Sequence, residues 1–180
     1  MVKTSRQAII STAEALIQST GHSEISLHQL SQQLGITHGA LYKHFANKQA
    51  LWEAVAADWF QREIIGQVSI IPTNDSHQDL HDWLWAFVNA KKNAFNNNPQ
   101  MFTLNTNYID QNPDALRRVL QPAYDEINHL LKRANDNHQH AEMILATFSI
   151  FTLPIFKDTW NQPAYHTNFE AIWRLIEAGV

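Results

Sequence analysis

Apolar residues recur along this chain at intervals of three and four, the spacing that gives an α-helix one oily face, and the segments so defined predict an all-α fold of about nine helices. Ile9, Ala13, Leu16 and Ile17 form the first stripe, within Thr4 to Thr20, and Gly21 closes it. Leu27, Leu30 and Leu34 form the second, followed by a short helix whose inward residues are Leu41 and Phe45. From Asn47 to about Ile71 there is no proline and only Gly66 among the glycines, which predicts one long helix stopped at Pro72. PTNDS at 72–76 is the clearest linker. Leu80, Trp83, Leu84, Phe87, Val88 and Phe95 share the next stripe, NNNP at 96–99 ends it, and a short helix follows near 100–108. Asn112 and Pro113 read as N-cap and first position of a helix running through Leu116, Leu120, Ile127, Leu130 and Leu131 to about Ala134, with a kink expected at Pro122.

The pattern changes near the end. From Ala141 to Phe156, residues Met143, Ile144, Leu145, Phe148, Ile150, Phe151, Leu153, Ile155 and Phe156 run nearly all the way round a helix, and such a helix must be covered on every side. A last helix, capped at Thr167 with Glu170 behind it, carries Phe169, Ile172, Trp173 and Ile176. Two arrangements satisfy this pattern, a core internal to the chain or a four-helix interface with a second copy.

Between Ser26 and Trp52 the punctuation is dense. Ser26 and Gln29 have the S-x-x-Q spacing of a capping box, Gly35 stands where a left-handed residue would turn the chain, and Thr37 is placed to cap the next helix. On that helix Thr37, His38, Tyr42 and Lys43 lie opposite the inward residues. Gly39 sits inside it although glycine costs about 1 kcal/mol against alanine, and close approach to another molecule is a sufficient reason. Asn47 caps the following helix, and Lys48 in its first turn meets an unfavourable helix dipole that a nearby phosphate would offset. Two short helices joined by a tight turn, with hydroxyls and cations on one outer face, are the elements of a helix-turn-helix that enters a DNA groove.

Ile9, Ala13, Leu16, Gly21, Ser26, Leu30, Leu34, Gly35, Ile36, Gly39, Leu41, Tyr42, Phe45, Lys48 and Leu51 together resemble the N-terminal domain of the tetracycline-repressor (TetR) family over roughly residues 5 to 55. The resemblance implies a helix-turn-helix DNA-binding domain at 1–47 and a helical effector-binding and dimerisation domain at 48–180. It also implies a repressor that binds a palindromic operator as a homodimer, pairing through the last two helices at about 139–158 and 167–178. Candidate DNA contacts are Lys3, Arg6, Ser26, Leu27, Thr37, His38, Gly39, Tyr42, Lys43, His44 and Lys48. Lys3 and Arg6 suit an arm reaching phosphate or minor groove, or equally a solvated terminus; His38 and Lys43 are base readers or solvated positions. In the family, the helices bearing Trp59, Trp83, Phe87, Phe102, Tyr108, Tyr124 and Phe148 surround an effector cavity. This implies an apolar or aromatic small molecule, against the alternative that each ring is ordinary core.

Charge sharpens the picture once divided. Lys3, Arg6, Lys43 and Lys48 against Glu14 and Glu24 leave the first fifty residues at +2, while the remainder carries −6 of the chain's net −4. A basic head on an acidic body suits DNA binding at one end. The head is weakly basic, and if every cation in both protomers met a phosphate the salt slope would reach about −7 at most. His22, His28, His38 and His44 would raise the head's positive charge when protonated, tightening DNA binding at lower pH.

Other chemistries find little support. No cysteine occurs, so disulfides and thiolate catalysis are excluded, and a cytoplasmic protein is expected. No apolar stretch of membrane-spanning length appears, and MVKTSRQAII has no secretory pattern. His77 with His81, and His138 with His140 and Glu142, have ligand spacing without a fitted third partner, so no metal and no cofactor is assigned. No triad, phosphate loop or paired-carboxylate motif points to an enzyme. The competing function is a helical protein-interaction module or small-molecule sensor that has lost specific DNA binding.

Overall fold

The computed structural model describes residues 4–133 and 137–180, and every regular element among them is helical. Ten α-helices occur in this part of the chain: α1 (Arg6–Thr20), α2 (Leu27–Leu34), α3 (His38–Leu41), α4 (Lys48–Glu63), α5 (Ser76–Asn97), α6 (Pro99–Asn105), α7 (Pro113–Leu130), α8 (Gln139–Thr147), α9 (Ser149–Thr152) and α10 (Tyr165–Ile176). A π turn (Thr106–Asp110) prolongs α6, and 3-10 turns occupy Ile65–Gln67, Pro154–Thr159 and Glu177–Gly179. No described helix is long and apolar enough to cross a membrane.

Packing divides the chain into two compact units, one formed by the chain up to Gln61 with Asn98–Leu116, the other by Arg62–Asn97 with Arg117–Val180. In the first, Ile9, Ala13 and Ile17 of α1 are buried with Leu30, Leu41, Phe45, Trp52 and Val55, and α6 packs on α1 through the same unit. Of the stripe expected on α1, Ile9, Ala13 and Ile17 are buried while Leu16 is half-buried, and α2 packs on this helix. In the second, Trp83, Leu84, Phe87 and Val88 of α5 lie in a core with an aromatic cluster from the C-terminal helices. Phe169 meets Trp85 at 4.8 Å and Phe148 at 5.0 Å, and Phe151 stands edge-on to Tyr165 at 5.1 Å. The polar ends of these rings are satisfied, with Trp160 Nε1 donating to the Ile150 carbonyl and the Tyr165 hydroxyl to that of Val88. His81 ties α5 to α10, its ring nitrogens 2.9 Å from Asp82 and 3.1 Å from Glu170.

Most helix ends fall where the capping residues stand. Ser26 and Gln29 form the reciprocal capping box, Asn47 accepts from the Ala50 amide at 2.8 Å, Asn98 from Met101 and Asn112 from Ala115. Gly35 closes α2 at φ 64°. Four expectations are corrected. The helix opened by Asn47 ends at Glu63 rather than near Ile71: a 3-10 turn takes up Ile65–Gln67, and at Val68 the β-branched run before Pro72 leaves helical geometry for an extended backbone. The helix from Ala141 to Phe156 breaks at Phe148 and again before Pro154, whose ring cannot continue the ladder. Thr167 lies inside α10, which starts at Tyr165. Thr37 precedes α3 but its hydroxyl makes no capping bond. Pro122 is held within α7, and the expected end of that helix at Ala134 lies outside the described residues.

The caps make the fold testable. At Gly35 an added Cβ meets nothing within 4 Å, so Gly35→Ala tests the left-handed backbone alone and is expected to cost about 1–2 kcal/mol. Ser26→Ala removes half of the capping box and is expected to cost about 1 kcal/mol. Urea unfolding of both variants measures the two losses.

Candidate DNA-binding surface

Helix α3 is a single turn, and what fixes it is the residue on its inner side. Leu41 is buried in the core of the first unit, as is Phe45 four residues on. Their burial turns Thr37, His38, Gly39, Tyr42 and Lys43 outward, and all five are exposed. The rings of His38 and Tyr42 stand edge to face at 5.5 Å, placing an imidazole and a phenol side by side on the surface. Gly39 has open space around the position of an absent Cβ, so nothing within this chain requires glycine there. This group is one continuous feature of hydroxyl, imidazole, phenol and ammonium on a helix end held by the turn at Gly35.

The flanking candidates divide. Ser26 is exposed and its hydroxyl is engaged with Gln29, accepting from the amide nitrogen and donating to Oε1. Leu27 and His44 are half-buried. Arg6 is not a loose arm: Nη1 donates to the His44 carbonyl at 2.8 Å, and its guanidinium lies 4.3 Å from the centre of the Phe45 ring. It braces the end of the α3 turn against the start of α1. Lys3 lies outside the described residues. Lys48, at the head of α4, pairs with Glu24 at 3.0 Å, and Glu24 also accepts from the Tyr108 hydroxyl at 2.9 Å. Burial, and after it the neighbouring Glu24 carboxylate, push the Tyr108 phenol above its ordinary pKa and keep it a donor. Sequence reasoning counted Glu24 only as charge. A loop carboxylate that meets a lysine 24 positions on leaves no periodic signal.

The aromatic candidates for a small-molecule site are spread over both units. Trp59, Phe102 and Tyr108 are buried in the first; Trp83, Phe87, Tyr124 and Phe148 are buried in the second. Trp83 stacks on Phe87 at 5.4 Å and borders a cavity of about 770 Å³ in the second unit, which Ile65, Val68 and Pro72 also line. Its walls are mixed, with Asp79, Asn128 and Lys132 beside the apolar groups. The histidines at ligand spacing have other partners, His81 as above and His138 with Asp125 at 2.7 Å. Among the described residues no three His, Asp or Glu side chains gather as a metal-holding group.

Residues 9–55 match the sequence profile of the bacterial regulatory proteins of the tetR family. Over 83 residues the chain is 34% identical to the class C tetracycline repressor protein of Escherichia coli, an alignment covering 46% of this chain and 34% of that protein. It is 29% identical over 84 residues to the HTH-type transcriptional repressor AcnR of Corynebacterium diphtheriae, covering 44% of each. The matches thus span less than half the length of these curated relatives. The fold extends further: BioQ, solved with its natural double-stranded DNA operator, superposes with a TM-score of 0.61 at 15% identity over 98% of this chain and 99% of its own. A TetR-family regulator from Streptomyces coelicolor gives 0.56 at 19% identity over 99% and 95%. Residues 9–55 thus carry the motif of the bacterial regulatory proteins of the tetR family, on a chain whose overall fold is the one these solved structures share.

Proposed function

We propose that the protein is a DNA-binding transcriptional repressor, not an enzyme, that reads a palindromic operator as a homodimer. The observation that carries this reading is the outer side of α3, where Thr37, His38, Tyr42 and Lys43 surround a glycine that the protein itself has no use for. Tyr42 and Thr37 offer hydroxyls to phosphate, Lys43 a cation, and His38 a ring able to reach a base edge. Gly39 allows the helix backbone to approach the groove. The DNA-binding part is the segment 1–47, with 48–180 serving effector binding and dimerisation.

Pairing through the C-terminal helices is supported by what the single chain leaves uncovered. Ile155 and Leu175 are each 82% exposed, and Met143 of α8 is exposed as well. Three large apolar side chains on the last elements are the expected residue of a surface completed by a second copy. Two-fold symmetry then sets two α3 helices about one turn of DNA apart. For the effector, the cavity beside Trp83 supports a small molecule with an aromatic or apolar body. Such a molecule acts only to the extent that it binds one separation of the DNA-binding heads better than another.

Tyr42→Ala is expected to weaken duplex binding about tenfold or more for the dimer, and Lys43→Ala to flatten the salt slope by about 0.9 per protomer. Fluorescence anisotropy measures both. A helical interaction module without DNA function would show neither change, so these variants separate the two readings.

Gly39→Ala is expected to leave the fold intact or stabilise it by up to about 1 kcal/mol while weakening DNA binding. A loss of stability on thermal unfolding would show that the glycine serves the fold instead.

Leu175→Glu is expected to convert dimer to monomer in sedimentation equilibrium with helicity retained. An unchanged mass would move the interface elsewhere. For the effector, an aromatic compound at ten times its Kd should stabilise the wild-type protein by about 1.4 kcal/mol. A thermal-shift panel without any such response would argue against an apolar ligand.

A further inference from the structure

Glu24 lies in the turn between α1 and α2, apart from the side chains assigned to DNA, yet its two oxygens serve two different elements of the same compact unit. Oε1 accepts the phenolic hydrogen of Tyr108, on the π turn that prolongs α6, at 2.9 Å. Oε2 pairs with Lys48 Nζ, at the first residue of α4, at 3.0 Å.

Lys48 is a cation at the positive end of a sixteen-residue helix dipole and is stabilised there by an anion. The cap residue Asn47 is already occupied by the Ala50 amide. Glu24 supplies the negative charge, and it does so where a polyanion can compete: the lysine side chain is 55% exposed and the glutamate 33%. Tyr108, by contrast, is buried and presents its hydroxyl from a fixed place. The carboxylate is thus held on one side by a buried donor and bound on the other to an exposed cation.

We propose that Glu24 is an internal stand-in for a DNA phosphate, holding the Lys48 ammonium in the DNA-free protein and kept at that post by the Tyr108 hydroxyl. The inference rests on the DNA-binding reading above and adds to it a restraint on affinity. When a phosphate takes Lys48, the gain is only the difference between two anions. The released carboxylate also recruits a cation from solution, cancelling the counterion that the phosphate gives up. Lys48 therefore contributes less affinity and less salt dependence than an unpaired lysine at the same place.

The test uses the full chain and a fluorescein-labelled 30-base-pair duplex enriched by the wild-type protein from a random-sequence pool, with anisotropy read between 50 and 200 mM salt. Glu24→Gln keeps an acceptor for Tyr108 and removes the charge. It is expected to tighten binding by about two- to fivefold per protomer, the range of an exposed ion pair, and to steepen the salt slope by about 0.9 per protomer. Tyr108→Phe, which changes no charge at neutral pH, is expected to tighten binding by a smaller factor and to add nothing on top of Glu24→Gln. In a Lys48→Gln background both gains disappear. Unchanged or weaker binding by Glu24→Gln, or a gain that survives in Lys48→Gln and so reflects net charge alone, overturns the proposal. If Glu24→Gln does not fold, Tyr108→Phe with and without Lys48→Gln decides by the same signs. Failure of the DNA-binding reading looks different: the wild type enriches no duplex, or Tyr42→Ala binds as well as wild type, and the proposal falls with it.

Discussion

A helix of four residues closes a single turn, and alone in water it does not form, because nucleation costs more than one hydrogen bond returns. Helix α3 exists because Leu41 and Phe45 are buried in one core with Ile9, Ala13 and Ile17 of α1, Leu30 of α2 and Trp52 of α4, and because α3 packs on α2. The surface proposed to read DNA is the reverse side of that burial. Every outward residue from Thr37 to Lys43 takes its direction from two inward ones, so recognition and core packing in this unit are two sides of one turn of helix.

The same unit spends its few cations sparingly on the outside. Of the four basic residues in the first fifty, Lys3 lies outside the described residues, Arg6 braces the α3 turn through the His44 carbonyl and the Phe45 ring, and Lys48 is paired with Glu24. Lys43, two residues past the end of α3, is exposed. Long-range attraction to the phosphate backbone is correspondingly weak, and discrimination falls to contacts at close range: hydroxyls, rings and helix backbone. On the DNA-binding reading, a protein so arranged would hold nonspecific DNA weakly, which would widen the gap between operator and background without requiring tight operator contacts.

How far the sequence disclosed this depends on the range over which each signal acts. Capping is written in residues three apart, and Ser26 with Gln29, Asn47 and Asn112 were all legible for that reason, as was the left-handed turn at Gly35. The helix stripes on α1 and α5 were legible because a buried face repeats. Where the sequence misled, a competing influence acted at the same range. Absence of proline up to Ile71 favoured a continued helix, but Val68, Ile70 and Ile71 prefer extended chain ahead of Pro72. The apolar run from Ala141 to Phe156 looked continuous although Pro154 sits inside it. Contacts between distant residues were invisible: neither the Arg6 brace nor the link from Lys48 through Glu24 to Tyr108 follows from spacing, since each joins side chains that only the packed helices bring together.

Two glycines in one motif show how the fold and the proposed function can be separated by residue. Gly35 stands at φ 64°, a backbone that side chains resist whatever the space around them, so its identity is dictated by the turn that sets α3 against α2. Gly39 has no such backbone, a Cβ added there would meet nothing within 4 Å outside its own turn of helix, and inside a helix glycine is the less stable choice. A residue that lowers helix stability and is not needed by its own chain points to something outside it. That asymmetry, more than the number of cations, connects this surface to a partner that must come within backbone distance, and a DNA groove edge is the partner whose chemistry the surrounding hydroxyls and ammonium fit.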